Sequence, residues 1–107
     1  MDWKVSYFNE NVQKRIIEWP VGIYADFLRL IFLIEKQGAD LRLPHSRAMG
    51  NGLYELRCKG NEGIGRAFYC TMIGRHIVIL HSFIKKTQET PDRELKIARK
   101  RLKVVKK

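Results

Sequence analysis

The sequence is poor in cysteine and has no long apolar run, and each shortage excludes a class of protein. Cys58 and Cys70 are its only cysteines, and they lack the CxxC or Cys/His spacing that a zinc site requires. This indicates a reduced, intracellular setting. The longest apolar run, LIFLI at residues 30–34, is far too short to span a bilayer, and no secretory leader precedes it. We expect a soluble cytoplasmic protein.

Several motifs of enzymes and cofactor proteins are also missing. Ser46 and Ser82 do not stand in a GxSxG elbow, so a serine hydrolase is not indicated. The three histidines have no acidic neighbours at metal-ligand spacing. Gly60 and Gly63 lie between two predicted strands and Gly65 near the start of the second, rather than before a helix, which favours a hairpin turn over a phosphate loop. We expect neither a metal nor a cofactor.

What the chain has in excess is positive charge. It carries 21 Lys and Arg against 11 Asp and Glu, a formal charge of +10 over 107 residues. Residues 1–52 hold seven basic and six acidic side chains, whereas residues 53–107 hold fourteen and five. Nearly all of the excess therefore lies in the second half. A Lys-rich face that only aids solubility is one reading, but the uneven distribution favours a surface for a polyanion.

Hydrophobic periodicity predicts an α+β domain over residues 1–107, with two N-terminal helices on a small antiparallel sheet and a basic C-terminal helix. Residues 39–52 read as a loop because they contain proline and glycine. Thr90 is the predicted cap of the last helix, with Pro91 at its first position. The predicted strands are residues 3–8, 53–59, 64–73 and 77–84, and the first two helices are residues 9–19 and 20–38.

Two of the predicted helices leave open how they are used. The second carries apolar residues well around its circumference, so it is either sandwiched within the domain or partly turned towards a partner. The last has an apolar seam of Leu95, Ala98, Leu102 and Val105 and is otherwise coated with Lys and Arg. Those cations either attach the protein to ribosomal RNA or simply face solvent.

Cations on adjacent predicted strands form the candidate site. Arg57, Arg66 and the pair Lys85 and Lys86 fall on successive strands, whose spacing of about 4.8 Å lets their side chains converge on one phosphodiester. Such a site can cleave RNA without a metal by orienting the 2′-hydroxyl against its own phosphate. Glu55, on the same strand face as Arg57, is the first candidate for the general base, and a lysine of shifted pKa is the second. RNA or DNA binding without cleavage fits the pattern equally well.

The chain resembles a HigB-type toxin of the phage-derived branch in the RelE/ParE superfamily. The resemblance is carried by LYELR at residues 53–57, GRAFYC at 65–70, ILHSFIKKTQETP at 79–91 and ELKIAR at 94–99, and it extends over the order of the predicted elements. It implies a ribosome-dependent mRNA endonuclease, neutralised by a helix-turn-helix (HigA-like) antitoxin that reaches operator DNA only as a complex.

By position, the resemblance makes Arg57 a groove residue, Arg66 the principal phosphate ligand and Lys86 a contact to the scissile phosphate, with Lys85 adjacent. A tyrosine that RelE places after its last strand is missing from TQETP at residues 87–91, which leaves proton transfer unassigned. The superfamily also contains ParE relatives that act on DNA gyrase. Gyrase inhibition is therefore an alternative to RNA cleavage.

Overall fold

A computed structural model describes residues 2–85 and 91–106. It contains three helices and five strands, in which the strands form one sheet of order β1-β5-β4-β3-β2. The strands are β1 (Lys4–Tyr7), β2 (Ser46–Gly50), β3 (Leu53–Gly60), β4 (Gly63–Met72) and β5 (His76–Lys85), and the helices are α1 (Glu10–Ile17), α2 (Val21–Gln37) and α3 (Asp92–Val105).

The sheet is antiparallel from β2 to β5, while β1 pairs with β5 in parallel. This confirms the predicted α+β class and the meander of β3, β4 and β5. The parallel strand is a finding beyond the expected antiparallel sheet. It arises because the chain passes through two helices between β1 and the meander, and a crossover of that length can return a strand in the same direction.

Local signals set the helix boundaries. Of the two asparagines that could cap α1 by sequence, Asn9 and Asn11, it is Asn9 that accepts a hydrogen bond from the Val12 N–H at 2.9 Å. Pro20 precedes α2, and Gly38 ends it with a φ of 105°, a conformation that favours glycine. Pro91 is the residue before α3 rather than its first residue, with Asp92 and Glu94 in the first turn. The predicted cap, Thr90, lies outside the described residues.

The helices cover opposite faces of the sheet. On one face, α1 and α2 bury Ile16, Phe27 and Ile34 against Leu56 and Cys58. On the other face, α3 buries its seam, and Ala98 and Leu102 pack with residues such as Leu53, Phe68 and Leu80. The alternation along β3 therefore places Glu55, Arg57 and Lys59 on the α3 side, as the sequence predicts.

One element was missed. Residues 46–50, predicted to be part of a loop, form the edge strand β2 and pair with β3, where Arg47 lies opposite Glu55. The turn that joins them has positive φ at both Asn51 and Gly52, 57° and 84°, as a tight hairpin requires. Tertiary pairing with β3 stabilises an extended conformation that the short, glycine-flanked segment does not signal alone.

A close approach of backbone fixes where α2 crosses the sheet. A Cβ added at Gly60 would stand 2.5 Å from the Ile23 nitrogen and 2.6 Å from the Gly22 carbonyl carbon. No side chain fits there, so the end of β3 and the start of α2 require glycine at this position. Among the described residues, no helix is long and apolar enough to cross a membrane.

Candidate nucleic-acid interface

Four neighbouring strands each contribute one cation to a single cleft on the α3 face. The cleft encloses about 220 Å³, and its lining residues are Leu43, Arg47, Arg57, Arg66 and Lys85. Arg57 and Arg66 face each other across β3 and β4, and Lys85 comes from the end of β5. Adjacent strands lie about 4.8 Å apart, so three strand spacings, about 14 Å across the sheet, separate the strand of Arg47 from that of Lys85. We call this site the cationic cleft.

A buried carboxylate lies beneath these cations. Glu55 is completely buried, and its Oε1 accepts a hydrogen bond from Arg66 Nη1 and another from Arg47 Nη2 at 3.3 Å. The Arg66 side chain is 3% exposed and the Arg47 side chain 49%. Four cations against this one carboxylate leave the cleft a net charge of +3. Glu55 therefore fixes the two arginines without neutralising the site.

Two guanidinium nitrogens of the cleft arginines lack a hydrogen-bond partner among the described residues. They are Arg57 Nε and Arg66 Nε, and both are buried. A buried donor without a partner costs free energy, commonly about 1–3 kcal/mol, and native proteins contain few of them. Arg57 and Arg66 therefore each keep one buried donor without a partner among the described residues.

The cations also shift one another's protonation. Burial, together with the charges of Arg66, Arg57 and Arg47, lowers the pKa of Lys85, and the Glu55 carboxylate opposes this shift only in part. Burial likewise lowers the pKa of Arg66, against the opposing effect of Glu55. An anion bound among them would reverse these shifts, since negative charge favours the protonated forms. Lys85 is thus the cleft residue whose proton is most easily removed.

The structure brings together four of the five predicted site residues. Glu55, Arg57, Arg66 and Lys85 meet in or under the cleft, whereas Lys86 lies outside the described residues. Tyr69, in the GRAFYC segment, does not reach the cleft. Its side chain is buried on the α1 and α2 face of the sheet, where its hydroxyl donates a hydrogen bond to the Ala39 carbonyl. Burial raises its pKa to about 12. Tyr69 therefore does not replace the tyrosine missing after β5.

Arg47 is the cleft residue that sequence reasoning missed, because the segment around it was assigned to a loop. The Asn51-Gly52 pair that follows it is a strong hairpin signal, and it predicts a strand on its N-terminal side. In that strand the register places Arg47 opposite Glu55. A hairpin prediction at this turn was the available route to the fourth cation.

A larger hollow of about 800 Å³ lies beside β5, between the end of α1 and the start of α3. Its charged lining residues are of both signs, with Arg15 and Arg93 beside Glu18 and Glu94. The His81 Nε2 lies 2.7 Å from Glu94 Oε1, and this contact links β5 to α3. The mixed charge makes this hollow a poorer anion site than the smaller cleft.

Comparisons with known proteins agree with this architecture. No curated protein sequence matches the chain. Among solved structures, a two-arginine mutant of the Escherichia coli toxin RelE in the free state superposes with a TM-score of 0.68 over 95% of this chain and 99% of that one. The two sequences are 9% identical, so this likeness shows the fold alone. Residues 14–103 match the family described as Phage derived protein Gp49-like (DUF891), and the chain therefore belongs to this Gp49-like family, built on the fold of RelE.

Proposed function

We propose that the protein is the toxin of a type II toxin-antitoxin pair, of the HigB type, and that it acts in the cytoplasm by cutting mRNA on the ribosome without a metal ion. The observation that supports this most is the cationic cleft, in which two arginine Nε atoms are buried and unpartnered among the described residues. The RelE fold and the Gp49-like family agree with it. The partner that neutralises it is a helix-turn-helix (HigA-like) antitoxin, through which the complex reaches operator DNA.

In the proposed reaction the nucleophile belongs to the RNA. Arg57 and Arg66 hold the scissile phosphate and stabilise the charge that develops on its oxygens. The 2′-oxygen forms a bond to phosphorus and gives up its proton to water, and the bond from phosphorus to the 5′-oxygen breaks. Protonated Lys85 donates a proton to that 5′-oxygen and then regains one from solvent. The products are a 2′,3′-cyclic phosphate and a 5′-hydroxyl.

The geometry favours Lys85 over Glu55 as the residue that exchanges a proton with the RNA. The Glu55 carboxylate is wholly buried and already accepts hydrogen bonds from Arg47 and Arg66, so a ribose hydroxyl has no path to it in this conformation. Lys85 lines the cleft and has a lowered pKa. We assign Glu55 the positioning of the two arginines. Lys86 is retained as a phosphate contact on the strength of the sequence resemblance.

The test compares Arg57→Ala with Lys59→Ala, two losses of one charge from the same face of β3. Arg57 lines the cleft, whereas Lys59 is exposed and does not. Removing one preorganised donor from a site of this kind slows the chemical step by about 10²–10³-fold. After induction in cells, Arg57→Ala should abolish growth arrest and the new mRNA 5′ ends that primer extension detects, while Lys59→Ala should behave as wild type.

Other outcomes separate the alternatives. Full cleavage by Arg57→Ala would show that the cleft is not the site. Inhibited DNA supercoiling with intact messages would replace the nuclease by a gyrase inhibitor of the ParE kind. RNA binding that weakens steeply with salt, but without cleavage even on ribosomes, would indicate a binding module only.

A further inference from the structure

We propose that α3 extends the RNA-binding surface, so that the single strand whose phosphate occupies the cationic cleft also lies along the outer side of this helix. The residues concerned are Lys96, Lys100 and Lys103, which we call the lysine stripe. This inference rests on the proposed function for the identity of the polyanion. It goes beyond that function by assigning a second contact surface to the flanking nucleotides.

The lysine stripe is one continuous, unneutralised line of charge. Its members are spaced four and three residues apart, so they lie on one side of the helix within about 11 Å along its axis. All three side chains are exposed. Within the described ranges, no acidic side chain forms an ion pair with any of them. Their charges are therefore available to an external anion.

Two other cations of α3 serve the fold instead. Arg99 donates from Nη2 to the Met49 carbonyl at 2.7 Å and from Nη1 to the Gly50 carbonyl at 3.2 Å. Arg101 donates from Nη1 to the Leu80 carbonyl at 2.7 Å, and its guanidinium stands 4.8 Å from the centre of the Phe8 ring. These arginines fasten α3 to the sheet and to β1. The described residues show no comparable hydrogen bond from a lysine of the stripe to the sheet.

The stripe is connected to the cleft through β2. It lines a groove of about 440 Å³ along α3, together with Arg99 and with Asp92 at the N-terminal end of the helix. Arg99 binds the carbonyls at the end of β2, and Arg47 of the same strand lines the cleft. Two residues of strand, Ala48 and Met49, lie between Arg47 and Gly50, a span of about 10 Å. A path from the cleft to the helix therefore has Arg47 at one end and Arg99 at the other.

A single-stranded RNA is the occupant that fits this path. Its phosphates repeat along the strand, and lysines bind them as point charges without requiring fixed geometry. For comparison, the single-strand groove of an OB-fold binds about 4–16 nucleotides. A trinucleotide can therefore occupy the cleft alone, whereas a dodecamer is long enough to reach the lysine stripe.

The experiment measures binding of 2′-O-methyl uridine oligonucleotides, which lack the attacking hydroxyl, as a trimer and as a dodecamer. The stripe variant is Lys96→Ala/Lys100→Ala/Lys103→Ala. The matched control, Lys4→Ala/Lys14→Ala/Lys36→Ala, removes three exposed lysines from β1, α1 and α2. If all three stripe lysines contact phosphates, the negative slope of log K against log salt for the dodecamer should become shallower by about 2 in the stripe variant. Affinity for the dodecamer should fall about tenfold or more at 0.1 M salt, and affinity for the trimer should not change.

Each result decides the proposal separately from the nuclease assignment. Equal losses in the stripe variant and the control would overturn it, since they would reflect net charge alone. Weakened binding to ribosomes with unchanged dodecamer affinity would also overturn it, and would assign the stripe to ribosomal RNA. Loss of dodecamer affinity in the stripe variant would support it even if the wild-type protein cut no message.

Discussion

Of the charged residues in or under the cleft, Glu55 is the one whose removal should lower the free energy of unfolding most. It is fully buried, and the Arg66 side chain bonded to it is 3% exposed. Removing one partner of a buried pair leaves the other charge uncompensated, which costs about 3–5 kcal/mol. In Glu55→Ala the neighbouring charges of Arg47, Arg57 and Lys85 add repulsion to that cost. Since a domain of this size is stable by about 5–15 kcal/mol, the variant should lose a large part of its stability.

Urea unfolding at neutral pH measures this loss, and two further variants keep the test informative if Glu55→Ala does not fold. Glu55→Gln keeps the volume and an accepting oxygen while removing the charge, so its loss should be smaller. Glu55→Leu/Arg66→Met replaces the whole pair by apolar side chains of similar size and should regain stability relative to Glu55→Ala. Added phosphate should stabilise Glu55→Ala more than wild type, because the anion substitutes for the missing charge.

A free energy of unfolding for Glu55→Ala within about 1 kcal/mol of the wild-type value, the range of an exposed ion pair, would refute the role of Glu55 as a buried counter-charge. A double variant no more stable than Glu55→Ala would refute it too, since the cost would then come from lost packing. In the cleavage assay, Glu55→Gln should retain activity if Glu55 positions Arg47 and Arg66. Complete loss of activity in a folded Glu55→Gln protein would instead identify Glu55 as the base.

Two other predictions concern protonation and packing. The pKa of Lys85 is lower in the native state than in the unfolded chain, so the unfolded chain binds more protons at this residue between the two pKa values. Lys85 therefore makes the stability rise with pH in that range, up to its ordinary pKa of about 10.4. Lys85→Met should therefore be stabilised relative to wild type at pH 7, with a smaller difference at pH 10 in urea titrations, and a constant difference would refute this. Gly60→Ala should lose about 1–3 kcal/mol of stability because its Cβ meets backbone. Gly22→Ala meets only the exposed end of the Glu62 side chain and should stay within about 1 kcal/mol of wild type; equal losses in thermal melts would contradict this difference.

The meander was predictable because its signals are local. Glycines mark the β3–β4 turn, and the apolar alternation along β3 assigns Glu55 and Arg57 to one face, where the structure places them. The seam of α3 follows from helical periodicity, and its burial confirms it. Where one short segment specifies its own conformation and its own buried side, the sequence alone is sufficient.

The unpredicted features depend on pairing between distant segments. β1 becomes the parallel neighbour of β5, some seventy residues later in the chain, and β2 is extended because β3 lies beside it. The position of Glu55 beneath Arg66 and Arg47 requires the registers of three strands at once. Periodicity assigns a residue to a face of the sheet, but it does not give the cross-strand neighbours that determine whether a carboxylate is solvated or buried.

The buried carboxylate resolves an electrostatic difficulty that four neighbouring cations pose. Like charges on adjacent strands destabilise a sheet, and Glu55 offsets part of that repulsion by bonding to the two arginines on either side of it. It does not complete the site, because two guanidinium nitrogens keep no partner among the described residues and Lys85 has a lowered pKa. A bound phosphodiester would supply the missing negative charge. The affinity of the cleft for an anion and the instability of the empty cleft then have the same physical origin, so substitutions that stabilise the free protein at this site should weaken its hold on RNA.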